Sequence, residues 1–156
     1  MRSTVMEIDV DAFKHNMNEI QKFVGNKTII PVIKANAYGT YINTKLDLIK
    51  DYEIVAVAMA SEAMYLREIG YKGEILILNQ PDVNDITDIL KQNVSIGISD
   101  LDFLNELINN KKEAKVHLEL ETGMGRTGIE KEMLETFCFK IKENPFIKVQ
   151  GVYTHF

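Results

Sequence analysis

The sequence predicts an α/β fold built on parallel strands, and two observations predict it. Short runs of β-branched and aliphatic residues alternate with amphipathic stretches at intervals of about 20 to 30 residues. Several of those runs, such as Ile54–Ala58 (IVAVA) and Glu74–Leu78 (EILIL), are apolar almost throughout, as strands covered on both faces tend to be. Repeated β-α units imply parallel strands joined by right-handed crossovers. Such units close either as a (β/α)₈ barrel or as an open doubly wound sheet. No glycine-rich GxGxxG follows the first strand, which weakens the dinucleotide-binding form of the open sheet.

Taken in order, Met6–Val10 reads as a short strand, and Asp11 as the N-cap of a helix carrying Phe13, Met17, Ile20 and Val24 and stopped at Gly25. The run from Thr28 to Lys34 reads as a buried strand, with Pro31 unable to donate to a ladder. Asn43 caps a helix with Leu46 and Ile49, and Ile54–Ala58 follows as a strand. Ser61 caps SEAMYLREIG, a helix closed by Gly70, before the strand Glu74–Leu78. A helix from about Val83 to Gln92 leads to the strand Val94–Ile98, and Ser99 or Asp100 caps the helix through Leu101, Leu104 and Leu107. Ala114–Leu120 is a strand, and the helix Lys131–Glu143 ends before Asn144-Pro145. Ile147–Tyr153 is the last strand. Counted from the lysine run, the sequence predicts six strands.

Composition excludes several classes. The 156 residues carry 18 basic and 23 acidic side chains, a net charge of −5, with no basic cluster, which disfavours nucleic acid as a partner. No apolar run approaches the roughly 20 residues of a membrane span, and no signal-peptide core opens the chain. The single cysteine, Cys138, excludes an internal disulfide and fits a reducing compartment; its apolar neighbours in LETFCFKI suggest a buried thiol. The expectation is a cytoplasmic α/β domain.

Candidate chemistry gathers at strand ends. In TIIPVIKANAYG (residues 28–39), Lys34 ends a strand, on the same face as Ile30 and Val32. A lone lysine there is ordinarily a solvated terminus. At the C-terminal end of a barrel strand, however, a deprotonated amine is placed to attack a carbonyl. The segment VIKANAYG resembles the pyridoxal-phosphate lysine segment of the alanine racemase family. The resemblance implies that Lys34 forms the Schiff base with pyridoxal 5'-phosphate and that Tyr38 hydrogen-bonds its phosphate. The family usually continues with His-Gly where this chain has Thr40-Tyr41.

The strand VHLELE (residues 116–121) alternates, so His117, Glu119 and Glu121 share one face and Val116, Leu118 and Leu120 the other. Buried carboxylates need partners, and Arg126 in the glycine-rich loop ETGMGRTG is the expected one; an exposed edge strand with a solvated turn is the other reading of the pattern. HLELETGMGRTG resembles the second racemase signature, whose arginine positions the substrate carboxylate. By that resemblance Arg126 binds substrate and Glu119 orients Arg126. Many family members carry a carbamylated lysine where this chain has Glu119, which supplies a permanent carboxylate instead. The closing GVYTHF resembles the family's third segment, in which a histidine, here His155, packs against the pyridine ring.

With these resemblances the barrel is the favoured closure: a (β/α)₈ TIM-type barrel of which residues 1–156 carry the first six strands. A closed barrel needs eight strands and typically about 250 residues. The last strand runs nearly to Phe156 with no helix after it, so the chain reads as the N-terminal part of a longer fold, without the rest of the barrel and the family's C-terminal β domain. The implied activity is racemization of alanine, or of a close analogue such as serine, by a homodimeric parent enzyme. A tyrosine of its C-terminal domain serves as second base. Other readings stay open at this level: a catalytically inactive fragment, or a protein that only holds the cofactor. No metal is implied.

Overall fold

The computed structural model describes residues 4–41 and 45–156. Five parallel strands form one sheet: β1 (Ile54–Val57), β2 (Glu74–Ile77), β3 (Ser95–Ile98), β4 (Ala114–Leu120) and β5 (Ile147–Thr154). Helices α1 (Val10–Val24) and α2 (Leu46–Ile49) precede β1, and α3 (Ala60–Glu68), α4 (Ile86–Lys91), α5 (Leu101–Asn110) and α6 (Leu134–Glu143) fill the crossovers. The strands lie in the order β1-β2-β3-β4-β5, each beside its neighbour in sequence. No reversal of direction occurs, which is the arrangement of a barrel wall rather than of a doubly wound sheet. Crossovers of one hand then put the helices on one face and leave the other as a barrel lining.

The two faces differ accordingly. On the helix side, Val55, Val57, Ile75, Ile77, Ile96, Ile98 and Val116 meet Ala63, Leu66, Ile89, Leu104, Leu107 and Phe137 in one core. Each large side chain buried there stabilises the fold by about 1.5–3 kcal/mol. The inner face starts apolar with Ile54, Ala56 and Leu76, then turns polar through Ser95 and Glu119, both buried. Gly97 and Gly151 lie on this face. A Cβ at Gly97 would collide with the Tyr153 hydroxyl and lie 2.7 Å from the Leu78 carbonyl oxygen, and one at Gly151 would lie 2.8 Å from His117 Nδ1. The two glycines thus make room for two inward-facing rings. A bulge aims one of them: β5 has an extra residue between Val149, opposite Val116, and Gly151, opposite His117, so that Tyr153 pairs with Glu119.

Several expectations need correction. The sheet has five strands, not six, because the lysine run makes only one bridge, Val32 with Ala56. There Ile33 N donates to Ala56 O (2.8 Å) and Ala56 N to Pro31 O (2.9 Å). A rung on the preceding side would need a Pro31 N–H to reach Ile54 O, and proline has none. Met6–Val10 is not a strand; the helix already starts at Val10, capped by Asp9 Oδ1 accepting from Ala12 N (2.9 Å), rather than by Asp11. Helix α3 begins before Ser61, and Glu62 reaches back to accept from the N-cap residue, Met59 N, at 3.0 Å. Cys138 is exposed, since Phe137 is the residue that α6 turns fully into the core. The Asn43 cap lies outside the described residues. Asp100 caps α5 as expected, accepting from Phe103 N at 3.1 Å. Among the described residues no helix is long and apolar enough to cross a membrane.

Candidate active site

Past the C-terminal ends of β2, β3 and β4 a cleft of about 380 Å³ is lined by Lys34, Asn79, Gln80, Ser99, Glu119, Arg126 and Thr127. Three of the predicted site residues, Lys34, Glu119 and Arg126, therefore face one space, although 85 residues separate Lys34 from Glu119 in the chain. A larger hollow of about 830 Å³, lined in part by Met6, Ile8 and Leu46, contains none of the predicted site residues.

Lys34 opens a left-handed turn rather than ending a strand. Ala35, Asn36, Ala37 and Tyr38 all have φ between 51 and 56°, a conformation that costs roughly 1–2 kcal/mol per L-residue. The turn is closed by Ala37 N donating to Ile33 O (3.0 Å) and Gly39 N to Ala35 O (3.1 Å). Ala37 and Ile33 are buried beneath it. Among the described residues the Lys34 amine has neither an ion pair nor a hydrogen bond, so it stands in the cleft as an uncommitted donor. Tyr38 is 68% exposed at the end of the turn and does not line the cleft.

Glu119 is 7% exposed, the one buried carboxylate of the described residues. Its Oε1 accepts from Thr127 Oγ1 at 2.9 Å. The expected contact with Arg126 is not made; Arg126 shares the cleft with Glu119 without an ion pair between them. The reason lies in the loop. Glu121, expected on the inner face, turns its carboxylate back onto the N–H groups of Gly123 and Gly125, the latter at 2.9 Å. These backbone donors, that of Gly123 foremost, hold the Glu121 carboxyl below its usual range. The loop then returns beside β4, with Ile129 N donating to Glu119 O (2.7 Å) and Glu121 N to Ile129 O (3.1 Å). That path brings Thr127, not Arg126, onto Glu119.

On the neighbouring strand Tyr153 crosses the inner face and donates to Leu78 O at 2.6 Å. Burial pushes its phenol upward, with a smaller contribution from the Glu119 charge. His155 lies one residue beyond β5, exposed, its Nδ1 2.8 Å from Phe156 O, and does not line the cleft. Asn79, Gln80, Ser99 and Thr127 are lining residues to which the sequence reading gave no role in the site. The first three directly follow predicted strands, which is the position that could have marked them.

The comparisons agree with this geometry. Residues 8–156 match the family model for the alanine racemase N-terminal domain. Alanine racemase of Clostridium perfringens strain SM101 is 34% identical over 166 aligned positions, covering all of this chain and 42% of its own length. That of Methanococcus maripaludis is 35% identical, covering 96% of this chain and 42% of its own. The crystal structure of alanine racemase from Bacillus anthracis superposes with a TM-score of 0.83 at 31% identity over 96% of this chain and 40% of that one. The chain thus spans about two-fifths of the length of the relatives it matches. A sequential parallel wall, a lysine and an arginine at its C-terminal rim, and a family match over nearly every residue lead to one conclusion: the chain belongs to the alanine racemase family, through its N-terminal domain.

Proposed function

We propose that this chain is the lysine-bearing part of a pyridoxal-phosphate-dependent racemase acting on alanine or a close analogue such as serine, in a homodimeric parent enzyme. The observation that carries the reading is the shared cleft: the uncommitted Lys34 amine and the Arg126 guanidinium face one space at the C-terminal rim. The donor set suits the cofactor. An amine without an internal partner can hold an aldehyde; Tyr38, on the adjoining turn, and His155, just past β5, lie outside the cleft and are assigned to the phosphate and the ring by the family resemblance. When bound, pyridoxal phosphate draws electron density from the substrate α-carbon and so eases loss of its proton.

The side chains of this chain have separate tasks in that reading. Lys34 Nζ would hold the cofactor aldehyde until the substrate amine displaces it, and the freed amine would then take the α-proton on one face of the α-carbon. Arg126 binds the substrate carboxylate, for which a planar guanidinium offers two parallel N–H donors. Glu119, held by Thr127, keeps a negative charge on the wall beside Arg126. It does so from a fixed position, without carbamylation. Inversion needs a second proton carrier on the opposite face, assigned here to a tyrosine of the parent enzyme's C-terminal domain.

The test is direct. The chain is incubated with pyridoxal phosphate, reduced with borohydride and mapped by mass spectrometry. A single adduct on Lys34 is expected, and a preferred adduct on any other lysine removes the assignment. The parent protein should exchange the α-proton of alanine with solvent deuterium, and Lys34→Ala should abolish that exchange.

A further inference from the structure

The run of left-handed residues after Lys34 has an identifiable cause outside the motif. Four consecutive non-glycine residues at positive φ persist only where the surroundings over-determine them. The parallel bridge between Val32 and Ala56 shows what does so. Continued one rung further, that ladder would send Ala58 N–H to Ile33 O and Ala35 N–H to Ala58 O. Both N–H groups go elsewhere. Ala35 N donates to Glu62 Oε1 at 2.6 Å, and Ala58 N donates to Glu62 Oε2 at 2.8 Å, joined there by Met59 N at 3.0 Å. Ile33 O, left without its strand partner, accepts instead from Ala37 N inside the turn, at 3.0 Å.

We propose that Glu62 is the positioning residue for Lys34: its carboxylate replaces the next rung of the ladder and so turns Lys34 out of the strand and onto the left-handed turn. The inference rests on the reading of Lys34 as the cofactor-holding lysine, and it names the residue that sets the direction of that amine. Both carboxylate oxygens are needed. One holds the turn, and the other holds the start of α3, so the lysine is referenced to the first crossover helix.

The chemistry of the carboxylate makes the inference testable. In Glu62→Gln one oxygen becomes an NH₂, which faces an N–H donor and cannot accept from it, so one side of the tie is lost. Glu62→Asp keeps the charge at the start of α3 but is a methylene shorter and loses its reach to Ala35. Ala35→Gly adopts positive φ without strain and should restore the turn in the Glu62→Gln background. Three readouts are compared: the rate of borohydride-trapped pyridoxal-phosphate addition at Lys34 relative to the other lysines, amide hydrogen exchange along the chain, and the unfolding midpoint.

In both Glu62 variants, addition at Lys34 is expected to slow at least about tenfold, the scale of one lost hydrogen bond to a charged acceptor. Exchange should quicken at Ala37 and Gly39 while Ile96 in β3 keeps its protection, and Ala35→Gly should recover the Lys34 rate. Wild-type addition and unchanged turn amides in both variants would overturn the proposal. So would a slowing matched by equal loss of protection in β3, which would make Glu62 a general stabiliser. If the unmodified protein adds no cofactor at Lys34, the functional reading fails. The exchange at Ala37 and Gly39 still decides whether Glu62 holds the turn.

Discussion

At the N-terminal ends of β1, β2 and β3 one arginine satisfies four backbone carbonyls, whereas at the C-terminal ends Lys34 satisfies none. Arg67 reaches Gln92 O (3.1 Å), Tyr71 O (2.9 Å), Gly73 O (2.8 Å) and Asn93 O (3.3 Å), closing the loops that enter β2 and β3. Tyr71, buried beside it, donates to Tyr52 O at 2.8 Å, and burial pushes its phenol up to about 12. Positive φ at this end falls on Gly70 and Asn93, residues suited to it, and on the single Lys111 before β4; at the other end it falls on Ala35, Ala37 and Tyr38 within one run, none of them suited to it. The lesson is a division of labour along the strands. The cation is fully engaged where the loops only connect, and most of the strain, with an uncommitted amine, is kept where chemistry is proposed.

The sharpest way to break that comparison is to remove a cation from each end, Lys34 from one and Arg67 from the other. Lys34→Ala should abolish the preferred cofactor trapping in the cleft while leaving stability within about 0.5 kcal/mol, since among the described residues the amine makes no hydrogen bond or ion pair. Arg67→Met should do the reverse. It strands four carbonyls and should cost about 3 kcal/mol in urea unfolding, with trapping at Lys34 unchanged under conditions where the protein stays folded. An Arg67 variant that is stable but no longer traps cofactor would show that the two ends are coupled.

A smaller effect is expected between the ends. Gly97→Ala places a methyl against the Tyr153 hydroxyl and 2.7 Å from Leu78 O. Either Tyr153 leaves its 2.6 Å bond to Leu78 O or the inner face opens. Overpacking of this kind costs about 1–3 kcal/mol. Adding Tyr153→Phe should recover part of the loss if the hydroxyl is the obstacle, and none if the sheet backbone is. Thermal unfolding of the single and double variants reads the difference.

Much of this layout was legible in the sequence. The runs at Ile54, Glu74, Val94, Ala114 and Ile147 each became a strand because their aliphatic continuity has no other stable use in a β-α repeat. Placing Lys34 and Glu119 towards the C-terminal ends of strands and Arg126 in the loop after Glu119 was enough to bring them to one cleft. What escaped depends on contacts that no periodicity records. Simple alternation from Val149 puts Tyr153 on the helix side; the extra residue in β5 returns it to the inner face beside Glu119. Thr127 rather than Arg126 meets Glu119 because Glu121 gathers the glycine N–H groups and shapes the loop. The left-handed turn depends on Glu62, 27 residues away from Ala35. Local propensity argues against that turn at every position but Asn36 and Gly39.

The smallest expected effect concerns His117, at mid-height on the inner face. Its Nε2 is buried without a hydrogen-bond partner and lies 3.8 Å from Glu74 Oε1, which is engaged by Ser95 Oγ at 2.6 Å. Gly151 closes over Nδ1 from β5. Burial, the larger influence, holds the imidazole below its ordinary 6.5, while the Glu74 charge acts in the opposite direction. Between the lowered folded value and 6.5 the unfolded chain binds a proton that the folded chain refuses. Stability should therefore fall as pH drops below about 6.5 and level off once the folded value is passed. His117→Gln removes the titrating group and should flatten the His117 part of that slope. Glu74→Gln removes the opposing attraction and should steepen it. Melting temperatures between pH 7 and pH 5 give the order directly: Glu74→Gln steepest, the unmodified protein next, His117→Gln flattest. Greater stability of the unmodified protein than of His117→Gln as the pH falls would mean that Glu74 outweighs burial. The inner face would then hold a charged pair at mid-height.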